Sequence, residues 1–137
     1  MKNLLSILLV SIILMGCSEN RVLVDELTNK GSEDSPLMYS ADGLFTGVGF
    51  DVYPDGQLKE EGAYKDGEID GLWKEWHENG QLYYEGNFKD GKADGLQRTW
   101  YENGQLMVER NFKDGERDGL WKEWYENGQL KYEKNYK

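Results

Sequence analysis

Acidic side chains recur beside glycine in this sequence at spacings that suit a calcium loop. "DGEIDG" places Asp66, Glu68 and Asp70 at the first, third and fifth loop positions, with Gly71 at the sixth. A carboxylate is then needed at the twelfth position, where His77 stands; the parallel stretch "DGERDG" meets Tyr125 there. The intervening copy, "DGKADG", has Lys92 at the third position, and turns alone give the glycines a sufficient reason. Acid–base chemistry is no better served. His77 is the sole histidine and occupies a site filled elsewhere by Tyr53, Tyr101 and Tyr125, which favours an aromatic-type role over a general base. Glycoside hydrolysis needs two carboxylates in differently tuned settings, whereas recurring glutamates are equivalent. No catalytic residue, metal or cofactor is therefore assigned, and the chain reads as a non-enzyme.

Cys17 is the other candidate for chemistry. It follows a basic start at Lys2 and an apolar run from Leu4 to Met15 broken only by Ser6 and Ser11. Such a run is too short to span a bilayer, which takes ~20 residues, but it suits a signal-peptide core. Its end, "LMGC", resembles a bacterial lipobox, with Gly16 as the small residue before the cleavage point. The resemblance implies that residues 1–16 are removed and that Cys17 becomes an acylated N-terminus. Acyl chains contribute about 0.8 kcal/mol per buried methylene, so two or more give a lasting anchor. Ser18, in place of Asp, resembles the sorting pattern of outer-membrane lipoproteins where two membranes exist. A buried helix with an incidental cysteine, or an ordinary cleaved signal, is the plainer alternative. As the only cysteine, Cys17 has no partner for a disulfide within the chain.

The elements that would position any site come next. The chain has 137 residues and a formal charge of −10, a balance that repels nucleic acid and anionic surfaces and suits a basic or neutral partner. Residues 17–40 are polar and read as a tether with room for one docked strand. The aromatic residues concentrate in 41–137, where one motif returns every 24 residues: "YPDGQL" at Tyr53, "HENGQL" at His77, and "YENGQL" at Tyr101 and Tyr125. Units begin at about Gly47, Gly71, Gly95 and Gly119, and "LFTG", Leu44 to Gly47, reads as a capping half-unit. Asn-Gly or Asp-Gly between two strand-like runs is a hairpin signal, and the "KDG" stretches punctuate hairpin from hairpin. The expected fold is all-β, an elongated array of tandem antiparallel hairpins in one twisted sheet.

Pro54-Asp55-Gly56 predicts a type I turn closed by a left-handed glycine bulge. That loop sets Trp76 opposite Leu82 and Lys74 opposite Tyr84. It gathers Leu72, Trp76, Leu82, Tyr84 and Phe88 on one face, with Trp76, Trp100 and Trp124 as a buried spine. Equivalent sets are Leu96, Trp100, Leu106, Val108 and Phe112, then Leu120, Trp124, Leu130, Tyr132 and Tyr136. The first copy is weaker, with Glu60 where an apolar residue is expected. The opposite face would present Trp73, His77, Tyr83, Tyr101, Met107, Trp121 and Tyr125 among Glu85 and Glu109. Glu61, Glu85, Glu109 and Glu133 would form a column there, tolerable because other strands intervene. Aromatics among carboxylates suit a protein partner, although they are equally explained as cross-strand pairs or as a layer covered by something else.

The residues "LFTGV", "NGQL", "DGQL" and the "KDG…DG" links, from about Leu37 to Lys137, resemble the MORN-repeat variant of bacterial proteins described as YwqK-family antitoxin components. The resemblance implies an interaction module without catalytic residues. The expected protein is a lipid-anchored lipoprotein of the cell envelope, on the outer membrane where there is one, that binds a protein partner. Alternatives are an antitoxin or immunity-like protein neutralising a cognate toxin, and an envelope scaffold contacting lipid or glycan.

Overall fold

The computed structural model describes residues 20–30 and 37–137; the signal segment and Cys17 lie outside the described residues. Much of the stretch expected to be a tether is folded. It contributes β1 (Arg21–Leu23), a 3-10 turn (Val24–Glu26), β2 (Thr28–Asn29) and β3 (Met38–Ser40). Then follow β4 (Gly43–Leu44), β5 (Gly47–Val52), β6 (Leu58–Lys65), β7 (Glu68–Trp76) and β8 (Leu82–Lys89). The chain continues with β9 (Lys92–Trp100), β10 (Leu106–Lys113), β11 (Glu116–Arg117), β12 (Gly119–Trp124) and β13 (Leu130–Tyr136). A ten-stranded sheet runs β1-β5-β6-β7-β8-β9-β10-β12-β13, with β11 on β10, and β2-β3-β4 make a small second sheet. Among the described strands only β1 pairs in parallel, with β5. The tandem-hairpin array expected from the repeat is what forms.

Two kinds of turn line the two rims of the sheet. On one rim, the His77 carbonyl accepts from Gly80 N at 2.9 Å and His77 N donates to the Gln81 carbonyl at 2.8 Å, with Gly80 at φ 81°. This is the predicted type I turn with its glycine bulge, repeated at Gly56, Gly104 and Gly128. On the other rim, Asp66 and Gly67 both have positive φ, 49° and 84°, the mark of a two-residue type I′ turn. Asp90-Gly91 and Asp114-Gly115 repeat it.

The face assignment differs from the expectation. Trp76 does pair with Leu82, but the next pair is Glu75 with Tyr84, then Lys74 with Glu85. Tyr83 is therefore an extra residue. Lys59, Met107 and Lys131 are the extra residues of the other hairpins. This second bulge cancels the phase change made at the turn, so side chains beyond it swap faces. Tyr84 and Phe88 share a face with Trp73, while Leu72, Trp76 and Leu82 lie on the opposite one. The proposed inward sets are thus split, in the third and fourth hairpins as in the second. Trp76, Trp100 and Trp124 are half-buried, and Leu72, Leu120 and Leu130 are exposed.

The core instead follows a row of small residues. Gly49 pairs with Gly62, Gly62 with Trp73, Trp73 with Gly86, and Gly86 with Gln97. The Trp73 indole lies directly on Gly62, where an added Cβ would fall 1.9 Å from Cε3. Tyr64 meets Trp73 edge-on at 5.9 Å and Phe45 at 5.7 Å, and Leu27 and Phe45 complete a buried cluster. Phe45 is the most enclosed of these, and its carbonyl accepts from Gly67 N as Ile69 does from Gly91 N, so the capping half-unit is real. At the far end Trp121 is buried between Phe112 and Tyr136, with the Arg110 and Arg117 guanidiniums at 4.9 and 4.5 Å from its ring.

Candidate functional site

The sheet has a glycine face, carrying Gly62, Trp73, Gly86 and Gln97, and an opposite face with a row of charges. That row is Glu61, Lys74, Glu85, Arg98, Glu109, Lys122 and Glu133, each directly opposite the next across neighbouring strands. The glutamate column expected from the repeat exists, but bases occupy every strand between. Along this row the pairs within hairpins are Lys74–Glu85 at 3.6 Å, Arg98–Glu109 at 2.9 Å and Lys122–Glu133 at 3.2 Å. In the first hairpin Phe50 stands where a base is expected. Arg21 of β1 reaches over the Phe50 ring at 5.3 Å to pair with Glu61. Each hairpin is thereby close to neutral at its centre. The cations escaped the sequence reading, although Lys74, Arg98 and Lys122 recur every 24 residues, each 11 before a glutamate.

Apolar rows flank this ladder. Val48, Leu72, Leu96 and Leu120 lie on the Asp-Gly-turn side, with Leu72 42% and Leu120 37% exposed. Trp76, Trp100 and Trp124, paired with Leu82, Leu106 and Leu130, lie on the Asn-Gly-turn side. Val48, Glu61, Ala63, Leu72 and Lys74 border a shallow hollow of about 200 Å³. Surface of this kind offers apolar contact beside oriented, self-paired charges.

The residues proposed from sequence as a partner face are not brought together. Trp73 and Trp121 belong to the packed glycine face, and Trp121 is only 7% exposed. Glu85 and Glu109 sit on the opposite side, in the ladder. Tyr83 and Met107 are the bulge residues, and the Tyr83 ring lies 5.0 Å from His77. His77, Tyr101 and Tyr125 head the Asn-Gly turns, and Tyr53, His77 and Tyr101 join turn to turn. The Tyr53 hydroxyl donates to the Trp76 carbonyl at 2.7 Å, His77 Nε2 donates to that of Trp100 at 3.1 Å, and the Tyr101 hydroxyl to that of Trp124 at 2.9 Å. Asn79 and Asn103 donate to the Glu102 and Glu126 carbonyls in the same rhythm. A histidine serves here because its N–H reaches the carbonyl that a tyrosine hydroxyl reaches elsewhere.

Asp66, Glu68 and Asp70 do not converge either; among the described residues no group of three is placed to hold a metal ion. Asp70 instead accepts the backbone N–H of Asp90 at 3.2 Å, and Asp94 that of Asp114 at 3.2 Å, which ties each Asp-Gly turn to the next. On the glycine face, Glu60 is pushed above the usual carboxylate range, first by burial and then by Glu75 opposite it and by Asp51, against the pull of Lys59. Burial, with Glu60 and Glu75 nearby, raises the Tyr64 and Tyr84 hydroxyls to about 12. These shifts follow from packing. Gln97 replaces the tryptophan of the neighbouring repeats, accepting from the Tyr84 hydroxyl and donating to the Asn87 carbonyl at 3.3 Å.

Comparison with known families finds the MORN repeat variant four times, at residues 45–66, 69–90, 93–114 and 117–137, more than half of the chain. Comparison with curated proteins returns no match.

Proposed function

Because the chain belongs to the MORN repeat variant family, we propose that it is a non-catalytic protein-interaction module of the cell envelope, held to lipid through Cys17. The observation that carries the binding role is the charged face. Leu72 and Leu120, exposed at the same position of two hairpins beside the ion pairs Lys74–Glu85, Arg98–Glu109 and Lys122–Glu133, make a regular surface and not scattered apolar residues. The overall charge of −10 favours a basic or neutral partner. The anchor rests on "LMGC" at the end of the apolar run, and Ser18 favours the outer membrane where there are two. An antitoxin or immunity-like role is a narrower form of the same reading, in which the partner is a toxin.

Crosslinking in the native envelope tests it. The double variant Leu72→Lys/Leu120→Lys changes two exposed side chains and is expected to keep its β-sheet circular dichroism while losing its crosslinked partner. Retention of that partner refutes the charged face as the binding surface. Cys17→Ala is expected to abolish acyl labelling and release the chain from membranes; persistence of both refutes the anchor.

A further inference from the structure

Resting on the acylation of Cys17 proposed above, we propose that the repeat sheet stands directly on the lipid surface, its Asp-Gly rim down and its Asn-Gly rim pointing away. The chain is already fixed at Asn20. The Asn20 carbonyl accepts from Val48 N at 2.7 Å and its side-chain amide donates to the Thr46 carbonyl at 3.4 Å. Gly47 is so close beneath that an added Cβ would lie 2.2 Å from that carbonyl oxygen. Three residue steps separate Cys17 from Asn20, and at ~3.5 Å per residue they reach about 10 Å. Cys17 can therefore stand no farther than that from the docked Asn20.

The direction of exit selects the rim. β1 runs parallel to β5, with Arg21 opposite Val48 and Leu23 opposite Phe50, so its N-terminal end points to the side of Thr46 and the Asp66-Gly67 turn. Leu44, 47% exposed and against Gly67, lies at the same corner and can enter the lipid interface. Charge does not select between the rims: on the Asp-Gly rim the acids outnumber Lys65, Lys89, Lys92, Lys113 and Arg117, and the Asn-Gly turns hold Asp55, Glu78, Glu102 and Glu126. The exit of β1 and the exposed Leu44 carry the orientation. Both sheet faces then stand upright and open to a partner.

Spin labels on introduced cysteines test this in the full-length acylated protein, where Cys17 is blocked. The protein is reconstituted in phosphatidylethanolamine–phosphatidylglycerol vesicles containing a nickel-chelating lipid. Labels at Lys89 and Lys113 are expected to relax several-fold more strongly than labels at Asp55 and Glu102, because the rims are about 26 Å apart along an eight-residue strand. Ten Gly/Ser residues inserted after Ser18 are expected to remove the contrast while the protein stays bound. Equal relaxation at all four sites, or strong relaxation at Asp55 with weak relaxation at Lys113, overturns the orientation while leaving the anchor standing. Absence of acyl labelling overturns the anchor and the orientation together.

Discussion

Gly62→Ala is the most direct probe of how this sheet is packed. The indole of Trp73 covers Gly62, with Cε3, Cζ3 and Cδ2 at 1.9, 2.6 and 2.8 Å from where the new methyl would sit. These atoms belong to a rigid ring, against which Tyr64 packs edge-on at 5.9 Å. Overpacking of this kind costs about 1–3 kcal/mol, and displacing the edge-on Tyr64 contact adds about 0.5–1.5 kcal/mol. Alanine is better than glycine in a strand by about 0.5–1 kcal/mol, which leaves a net loss of roughly 0.5–4 kcal/mol. Urea unfolding of the mature chain, followed by tryptophan fluorescence, measures it as a lower midpoint with unchanged slope. The same substitution in a Trp73→Val background is expected to be neutral or stabilising, since the obstacle is gone. A loss below about 0.5 kcal/mol in the first background, or an equal loss in both, refutes the indole-on-glycine account. Gly86→Ala is the contrast: its methyl would meet the Tyr84 hydroxyl at 2.3 Å and Gln97 Cδ at 3.0 Å, side-chain ends that can swing away. It is expected to cost about 1 kcal/mol, the worth of the Tyr84–Gln97 hydrogen bond.

Tyr101→Phe removes the hydroxyl that donates to the Trp124 carbonyl and is expected to cost about 0.5–1.5 kcal/mol in the same denaturation assay. Tyr125→Phe, whose hydroxyl meets no acceptor among the described residues, is expected to stay within about 0.5 kcal/mol of the parent. Arg98→Glu places three acids in a row, Glu85, position 98 and Glu109. Its destabilisation is expected to be largest in low salt and to shrink toward 1 M sodium chloride, since ionic screening contracts to about 3 Å there. Glu60 gives a pH signature. Its pKa is raised in the folded chain, so ionisation opposes folding above that raised value, and the penalty is relieved as pH falls through it toward the ordinary 4.5. Glu60→Gln is therefore expected to raise the thermal midpoint at pH 7 and to lose the advantage near pH 4; an equal gain at both values refutes the assignment.

The sequence by itself determined how many hairpins there are, where each turn falls and what conformation the Asn-Gly turns adopt. These depend on contacts within a few residues: Asn79-Gly80 closes its own loop whatever lies beside it. It also determined the first cross-strand pair beyond the turn, Trp76 with Leu82. Which face is buried was decided only by the tertiary structure. "LYY", Leu82 to Tyr84, offers an apolar side chain at every step, so no local alternation marks Tyr83 as the residue that slips out of phase. The decision is made where neighbouring strands meet, as Trp73 of one hairpin settles on Gly62 of the hairpin before it. A tryptophan fits flat against a strand only where that strand has no side chain, and that complementarity joins residues eleven positions apart in different hairpins. The charge ladder was settled in the same way, because the strand pairing alone brings each glutamate opposite a lysine or arginine.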